Sequence, residues 1–261
     1  MKKKKKMNSY LKYGLLILAA ASVGAVIGGS INMFDLDSLG ERGFGAIYAF
    51  VQANVLWFMG ALMTLALIAG EWNLWKQRRI VKGLETAEDE VADALDDSFE
   101  ITGAWGTVLS YISMVLGAVL LAAVVSRRYM ESSTGERTST ALMTLLFLLL
   151  YCYEGFWQVR MVKTVQKAYP ERLGDPASRH FRKDWLASCD EQEREVIYKS
   201  AYKAYAFNMS LYSVLIVIAM LSHMLWDTGI LAVVLVGIMW CGTAVVYCRA
   251  CVTNRRRIRE K

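Results

Sequence analysis

Histidine and proline are nearly missing from this chain of 261 residues, and each shortage closes off a class of function. The two histidines, His180 and His223, lie in segments that hydropathy assigns to opposite sides of a membrane. A two-histidine metal site, a zincin helix and a histidine-based triad are thereby excluded. The two prolines, Pro170 and Pro176, share one loop, so no long apolar run is kinked by proline. No glycine-rich loop ends in Lys-Ser or Lys-Thr, which removes Walker-type ATP hydrolysis, and no Gly-x-Ser-x-Gly elbow occurs. Cys152, Cys241 and Cys248 lie within or at the ends of apolar runs, and Cys189 and Cys251 fall on the side expected to be reducing. A structural disulfide is therefore not expected. Cys248 and Cys251 have the spacing of a metal or redox half-site, but one pair supplies only two ligands. Small apolar packing residues or membrane-edge palmitoylation sites suit them better. The chain reads as no enzyme, with no cofactor and no metal.

What the chain has instead is apolar length. It is 55% hydrophobic, against ~45–50% for soluble domains. The excess gathers into runs long enough to cross the ~30 Å hydrocarbon core as helices. These are Tyr13 to Phe34, Gly45 to Gly70, Ile101 to Ser126, Ser139 to Val159, Ala204 to Trp226 and Thr228 to Cys248. Only Glu154 interrupts the fourth. Lipid offers backbone groups no partner, so helices are the expected form. The expected fold is an all-α membrane protein with six transmembrane helices, a single polytopic domain over residues 1–261.

Charge sets the orientation. Of the 30 Lys and Arg residues, all but Arg42, Arg127, Arg128 and Arg137 fall on one side of that six-span layout. Excess Lys/Arg marks cytoplasmic loops, so both termini are expected in the cytoplasm. The net charge of +6 belongs to span ends, where an anionic cytoplasmic leaflet attracts each base by about 1 kcal/mol, and does not call for nucleic acid. Lys2 to Lys6 followed by Leu15 to Ile27 also has the form of a signal peptide cleaved near Ala19-Ala20-Ala21. The apolar run continues well past the alanines, which favours a retained span.

Along the chain, Gly24 and Gly28 in the first span form a small-xxx-small pair suited to intramolecular helix packing. Gln52 and Asn54 fall near mid-depth in the second span, as packing glue or as a candidate polar pocket. Trp72 and Trp75 followed by Lys76, Arg78 and Arg79 suit a helix leaving through the headgroups. Thr86 with Asp89 has capping-box spacing and restarts a helix. Residues 160–203 form the one sizeable polar loop, expected as cytoplasmic helical extensions. The fourth span continues to about Tyr169, where Pro170 and Gly174-Asp175-Pro176 break it. His180 to Ala187 is a short amphipathic helix with Phe181, Trp185 and Leu186 on its apolar side. Ser188 with Glu191 has capping-box spacing for a helix that runs unbroken into the fifth span. Tyr198, Tyr202, Tyr205 and Tyr212 recur at helical spacing as an expected packed face. Glu71, Trp75 and Arg79 to Lys82 echo Glu154, Trp157 and Arg160 to Lys163, the trace of a parallel repeat.

The stretch Arg182-Lys183-Asp184-Trp185-Leu186, Ser188-Cys189-Asp190-Glu191, Ile197-Tyr198-Lys199 and Ala201-Tyr202-Lys203-Ala204-Tyr205 resembles a Gram-positive bacterial membrane protein family known as a domain of unknown function, DUF3169. Length, basic N-terminus and six-span layout agree with it. The resemblance implies a multi-pass protein of the bacterial plasma membrane and implies no reaction.

Glu154 is the one Asp, Glu, Lys or Arg within an apolar run, and an intramembrane charge is a functional candidate by default. It lies about five residues before Val159, near enough to the boundary to pair with Arg160 or another helix's base, so a structural ion pair or snorkelling is favoured over transport or proton relay. Glu71 occupies the matching edge of the second span. Trp185, Leu186, Asp190 and Glu191 are the candidate docking surface for a cytoplasmic ATPase or regulator. The functional expectation is a non-catalytic transporter component or accessory subunit. The alternative is a regulatory or sensory membrane protein that binds a cytoplasmic protein.

Overall fold

The computed structural model describes residue 22 and residues 46–124, 134–226 and 228–259. The expected first span, with Gly24 and Gly28, lies outside the described residues, as does the lysine run. The described residues form helices joined by turns and one longer loop, without strands. After a short helical lead-in at 46–53, the elements are α1 (Val55–Leu84), α2 (Asp89–Val124), α3 (Thr134–Ala168), α4 (Phe181–Ser188), α5 (Glu191–Trp226) and α6 (Leu231–Arg259). All but α4 are long and apolar enough to cross a membrane, and the chain is a multi-pass membrane protein.

The chain divides into two compact units, Met1–Ile47 with Leu211–Lys261, and Tyr48–Ser210. In the second unit α1, α2 and α3 pack against one another pairwise, with alternating direction. Their apolar layer is centred on Val55, Met59, Met143 and Leu150. α2 meets its neighbours through a stripe of small buried residues at helical spacing, among them Thr102, Gly106, Ser110, Ser113 and Gly117. Two glycines make the approach possible. A Cβ on Gly70 would lie 2.5 Å from the Tyr153 hydroxyl oxygen and 3.1 Å from the Trp157 ring, and one on Gly106 would lie 2.5 Å from Asn73 Oδ1.

Helix limits follow local chemistry. α1 ends at Leu84, and Thr86 turns back to donate to Gly83 O at 3.3 Å. Thr86 therefore closes α1 rather than capping α2, which begins at Asp89, two residues later than that box would start it. α3 stops at Ala168 before Pro170, and Gly174 takes φ 125° in the turn that follows, open to glycine at little cost. α5 is capped by Asp190 and not by Ser188. Asp190 Oδ1 accepts from Glu193 N at 2.8 Å, and Glu193 Oε2 accepts from Asp190 N at 2.9 Å, a reciprocal box two residues later than the spacing suggested. Ser188 belongs to the end of α4, where its hydroxyl donates to Trp185 O. α5 then runs unbroken for 36 residues, as expected.

In the other unit, the Tyr212 hydroxyl lies 3.4 Å from Thr243 Oγ1. The expected tyrosine face is not packed as such: Tyr198 and Tyr202 are exposed and Tyr212 is buried. The suggested repeat also fails at its tryptophans. Trp75 is 54% exposed beneath the Arg79 guanidinium, while Trp157 is 1% exposed in the core.

Candidate functional site: a polar seam and a charged collar

A polar seam ties α1, α2 and α3 together beyond the apolar layer. Trp157 Nε1 donates to Gly70 O at 2.9 Å, and Asn73 Nδ2 donates to Thr102 O at 2.8 Å. Glu154, 3% exposed, faces α2 and contacts the Ser113 hydroxyl, which also reaches Ser110 O at 2.9 Å. One hydroxyl proton thus stands between two acceptors. Beside Glu154, Ser110 and Gly70 lies a hole of about 20 Å³, the size of one water.

The expected ion pair is relocated. Arg160 Nη2 donates to Glu71 Oε1 at 2.6 Å, and the same carboxylate accepts from the Tyr153 hydroxyl at 3.2 Å. The Arg160 guanidinium also lies 5.7 Å from the Tyr153 ring centroid. Four residues separate Glu154 from Gln158 on the same helix, whereas Arg160 projects from a different side of α3, toward α1. That is why Arg160 meets Glu71, and why Glu154 has no salt bridge among the described residues.

Gln52 and Asn54 both bond to backbone carbonyls. Gln52 Nε2 and the Tyr48 hydroxyl both donate to Ala123 O, at 2.8 and 2.9 Å, satisfying a carbonyl at the end of α2. Asn54 Nδ2 donates to Phe50 O at 3.0 Å, at the turn that separates the lead-in helix from α1.

Past the apolar stretches, the same helices continue into a charged collar closed by α4 and the start of α5. Arg172 is its rivet: Nη1 reaches Cys189 Sγ at 2.6 Å, Nη2 pairs with Glu193, and the guanidinium lies 5.8 Å from the Trp185 ring centroid. Gln166 Nε2 donates to Gly174 O at 2.7 Å, holding the loop against α3. Trp185 and Leu186 are half-buried, with Trp185 packed on Phe181 at 5.4 Å between ring centroids. Of the proposed docking residues, Asp190 is engaged in the capping box and Glu191 stands exposed beside it.

The collar borders a half-open cavity of about 670 Å³. Gln77 forms part of its floor, Phe99 and Met161 its apolar wall, and Asp96, Glu100 and Tyr169 its polar side. The sequence offers no site role for Gln77, Asp96, Tyr169 or Arg172. Gln77 is a lone amide inside the basic run from Lys76 to Lys82, and only its burial sets it apart. A second cavity of about 610 Å³ opens between α2, α3 and the loop, with Arg179 and Arg182 on its wall.

Comparison with curated proteins and with solved structures returns no match. A family match covers residues 6–251, nearly the whole chain, and carries the description Protein of unknown function (DUF3169). With that match added to its apolar helices and charged collar, the chain belongs to the DUF3169 family of proteins of unknown function.

Proposed function

We propose that this protein is a non-catalytic accessory subunit of a bacterial membrane transporter, with six spans, both termini cytoplasmic and the collar as its docking face. The observation that supports this is the division of labour along α1–α3. The membrane layer is packed, while the same helices carry a charged, riveted structure well clear of the apolar stretch. At 1.5 Å per residue, α2 is about 54 Å long, against a ~30 Å hydrocarbon core. Such a projection gives a soluble ATPase a rigid surface to bear on. The basic side chains Arg179 and Arg182 suit contact with anionic headgroups beside it.

The test is purification of the full chain in mild detergent, followed by mass spectrometry and ATPase assay. An ATPase should co-purify in fixed ratio and be lost on replacing exposed Tyr198 and Tyr202 with alanine. A chain that purifies alone, or a partner indifferent to that change, would overturn the reading. Orientation is tested separately with Leu173→Cys in the exposed loop, which should react with an impermeant maleimide only after the cells are opened.

A second reading, regulation through a cytoplasmic protein other than an ATPase, is favoured by the exposed Tyr198 and Tyr202 on a helix turn that also carries the Glu195–Lys199 pair. The same purification separates the two by the identity of the partner.

A further inference from the structure

The collar cavity is walled by polar atoms that the fold leaves unsatisfied. Gln77 is fully buried, and its amide nitrogen donates to Asn73 Oδ1 at 2.8 Å. Its Oε1 has no hydrogen-bond partner among the described residues. Asp96 Oδ1 and the Tyr169 hydroxyl, on the same cavity wall, are likewise buried and unpartnered. Buried polar groups are nearly always satisfied, so three such groups on residues lining one cavity call for a partner from outside the chain, water or a ligand with N–H donors.

The charge of the lining says what kind. Asp96 and Glu100 are one helical turn apart on α2, where like charges repel, and neither is in a salt bridge among the described residues. Asp190 and Glu193 add to the acidic side, and the single guanidinium on the wall, Arg172, is already held by Glu193. The site therefore suits a cation. A metal ion is a poor fit, because no three His, Cys, Asp or Glu residues converge among the described residues. The remaining wall is apolar and aromatic: Phe99 and Tyr169 lie 5.9 Å apart between ring centroids, with Met161 and Val165 alongside. Aromatic faces favour organic cations, and about 670 Å³ falls within the range of small-molecule sites, roughly 300–1,000 Å³.

We propose that the collar cavity binds an amphipathic organic cation bearing N–H donors. Its charged end lies against Asp96 and Glu100, its donors reach Gln77 Oε1, and its apolar body lies along Phe99 and Met161. This goes beyond the accessory-subunit reading and requires no partner protein.

The experiment uses the full chain in phosphatidylcholine nanodiscs and ethidium, a planar cation with aryl N–H donors, read by fluorescence anisotropy. Saturable binding is expected above that of empty nanodiscs. Gln77→Leu should weaken it up to roughly tenfold, the effect of one lost hydrogen bond. The double variant Asp96→Asn with Glu100→Gln should weaken it at least as much and flatten its salt dependence. Glu71→Gln, at an exposed carboxylate outside the cavity, should leave it unchanged. Tetraphenylphosphonium, equally charged and apolar but without N–H, should compete at least tenfold less well. Circular dichroism checks that each variant is folded; if Gln77→Leu is not, the carboxamide pair and the competition carry the test. Binding no better than to empty nanodiscs, equal affinity across the folded variants, or equal competition by tetraphenylphosphonium would each overturn the proposal.

Discussion

Around Met59, Met143 and Leu150, α1, α2 and α3 close on one another completely, while a few turns along, around Gln77, Asp96 and Tyr169, they stand apart around a cavity of about 670 Å³. Both regions are built from the same three helices. In the first, apolar side chains fill the space, and lipid contributes nothing to hold them together beyond close packing. In the second, charge enters the lining, and the capping box, Arg172 and the Gly174 loop hold the walls in place. The polar seam through Glu154 and Trp157 lies between them. Rigidity below and unsatisfied polarity above are what a membrane-anchored binding platform needs.

The largest effect should come from breaking the packed side. Trp157→Ala removes a buried indole and its bond to Gly70 O, and should cost about 3 kcal/mol, the low end for a soluble core because lipid takes up the transfer term. Detergent melting should fall by many degrees; a shift near zero would mean that the seam is not a packing element. Glu154→Gln comes next and has the opposite sign. The amide can donate to Ser113 Oγ while Ser113 donates to Ser110 O, and no ion pair among the described residues is broken, so stability should rise by about 1 kcal/mol. If melting is higher but complementation is lost, Glu154 works as an acid or base; if melting drops, the proton accounting is wrong.

On the collar side, Asp190→Ala should cost about 1 kcal/mol, the usual value of an N-cap. Amide exchange should quicken over the first turn of α5 and stay unchanged around Leu150. Equal quickening in both places would erase the distinction between the regions. The smallest effect belongs to Glu71→Gln. Its pair with Arg160 is 36% and 51% exposed at the two side chains, so the loss should be about 0.5 kcal/mol or less and vanish in high salt.

Much of the fold was legible because membrane helices write themselves in composition. The breaks at Pro170 and Gly174, the short helix before Cys189 and the uninterrupted α5 all follow from rules acting over a few residues. The errors arose where two such rules competed within the same few residues. Thr86 and Ser188 both had capping spacing, but each lay within reach of a preceding helix end and bonded backward instead. The partner of Glu154 was misjudged for another reason. Nearness in sequence suggested Arg160, with a base of another helix as the alternative, but the angular offset around α3 points Glu154 and Arg160 toward different helices. The cavity was not legible at all, since Gln77 and Asp96 look like ordinary surface residues until α3 and α5 cover them.

The sequence by itself determined that the chain crosses a membrane in long helices, where those helices break and which ends carry charge. Each of these follows from transfer energy and backbone chemistry within one segment. Tertiary structure alone decided which polar groups meet. Contacts such as Arg160 with Glu71 span 89 residues of sequence, and the rotation of each packed helix about its axis selects them. It likewise decided which groups remain unmet, because an orphaned acceptor such as Gln77 Oε1 exists only once neighbouring helices have excluded water from it.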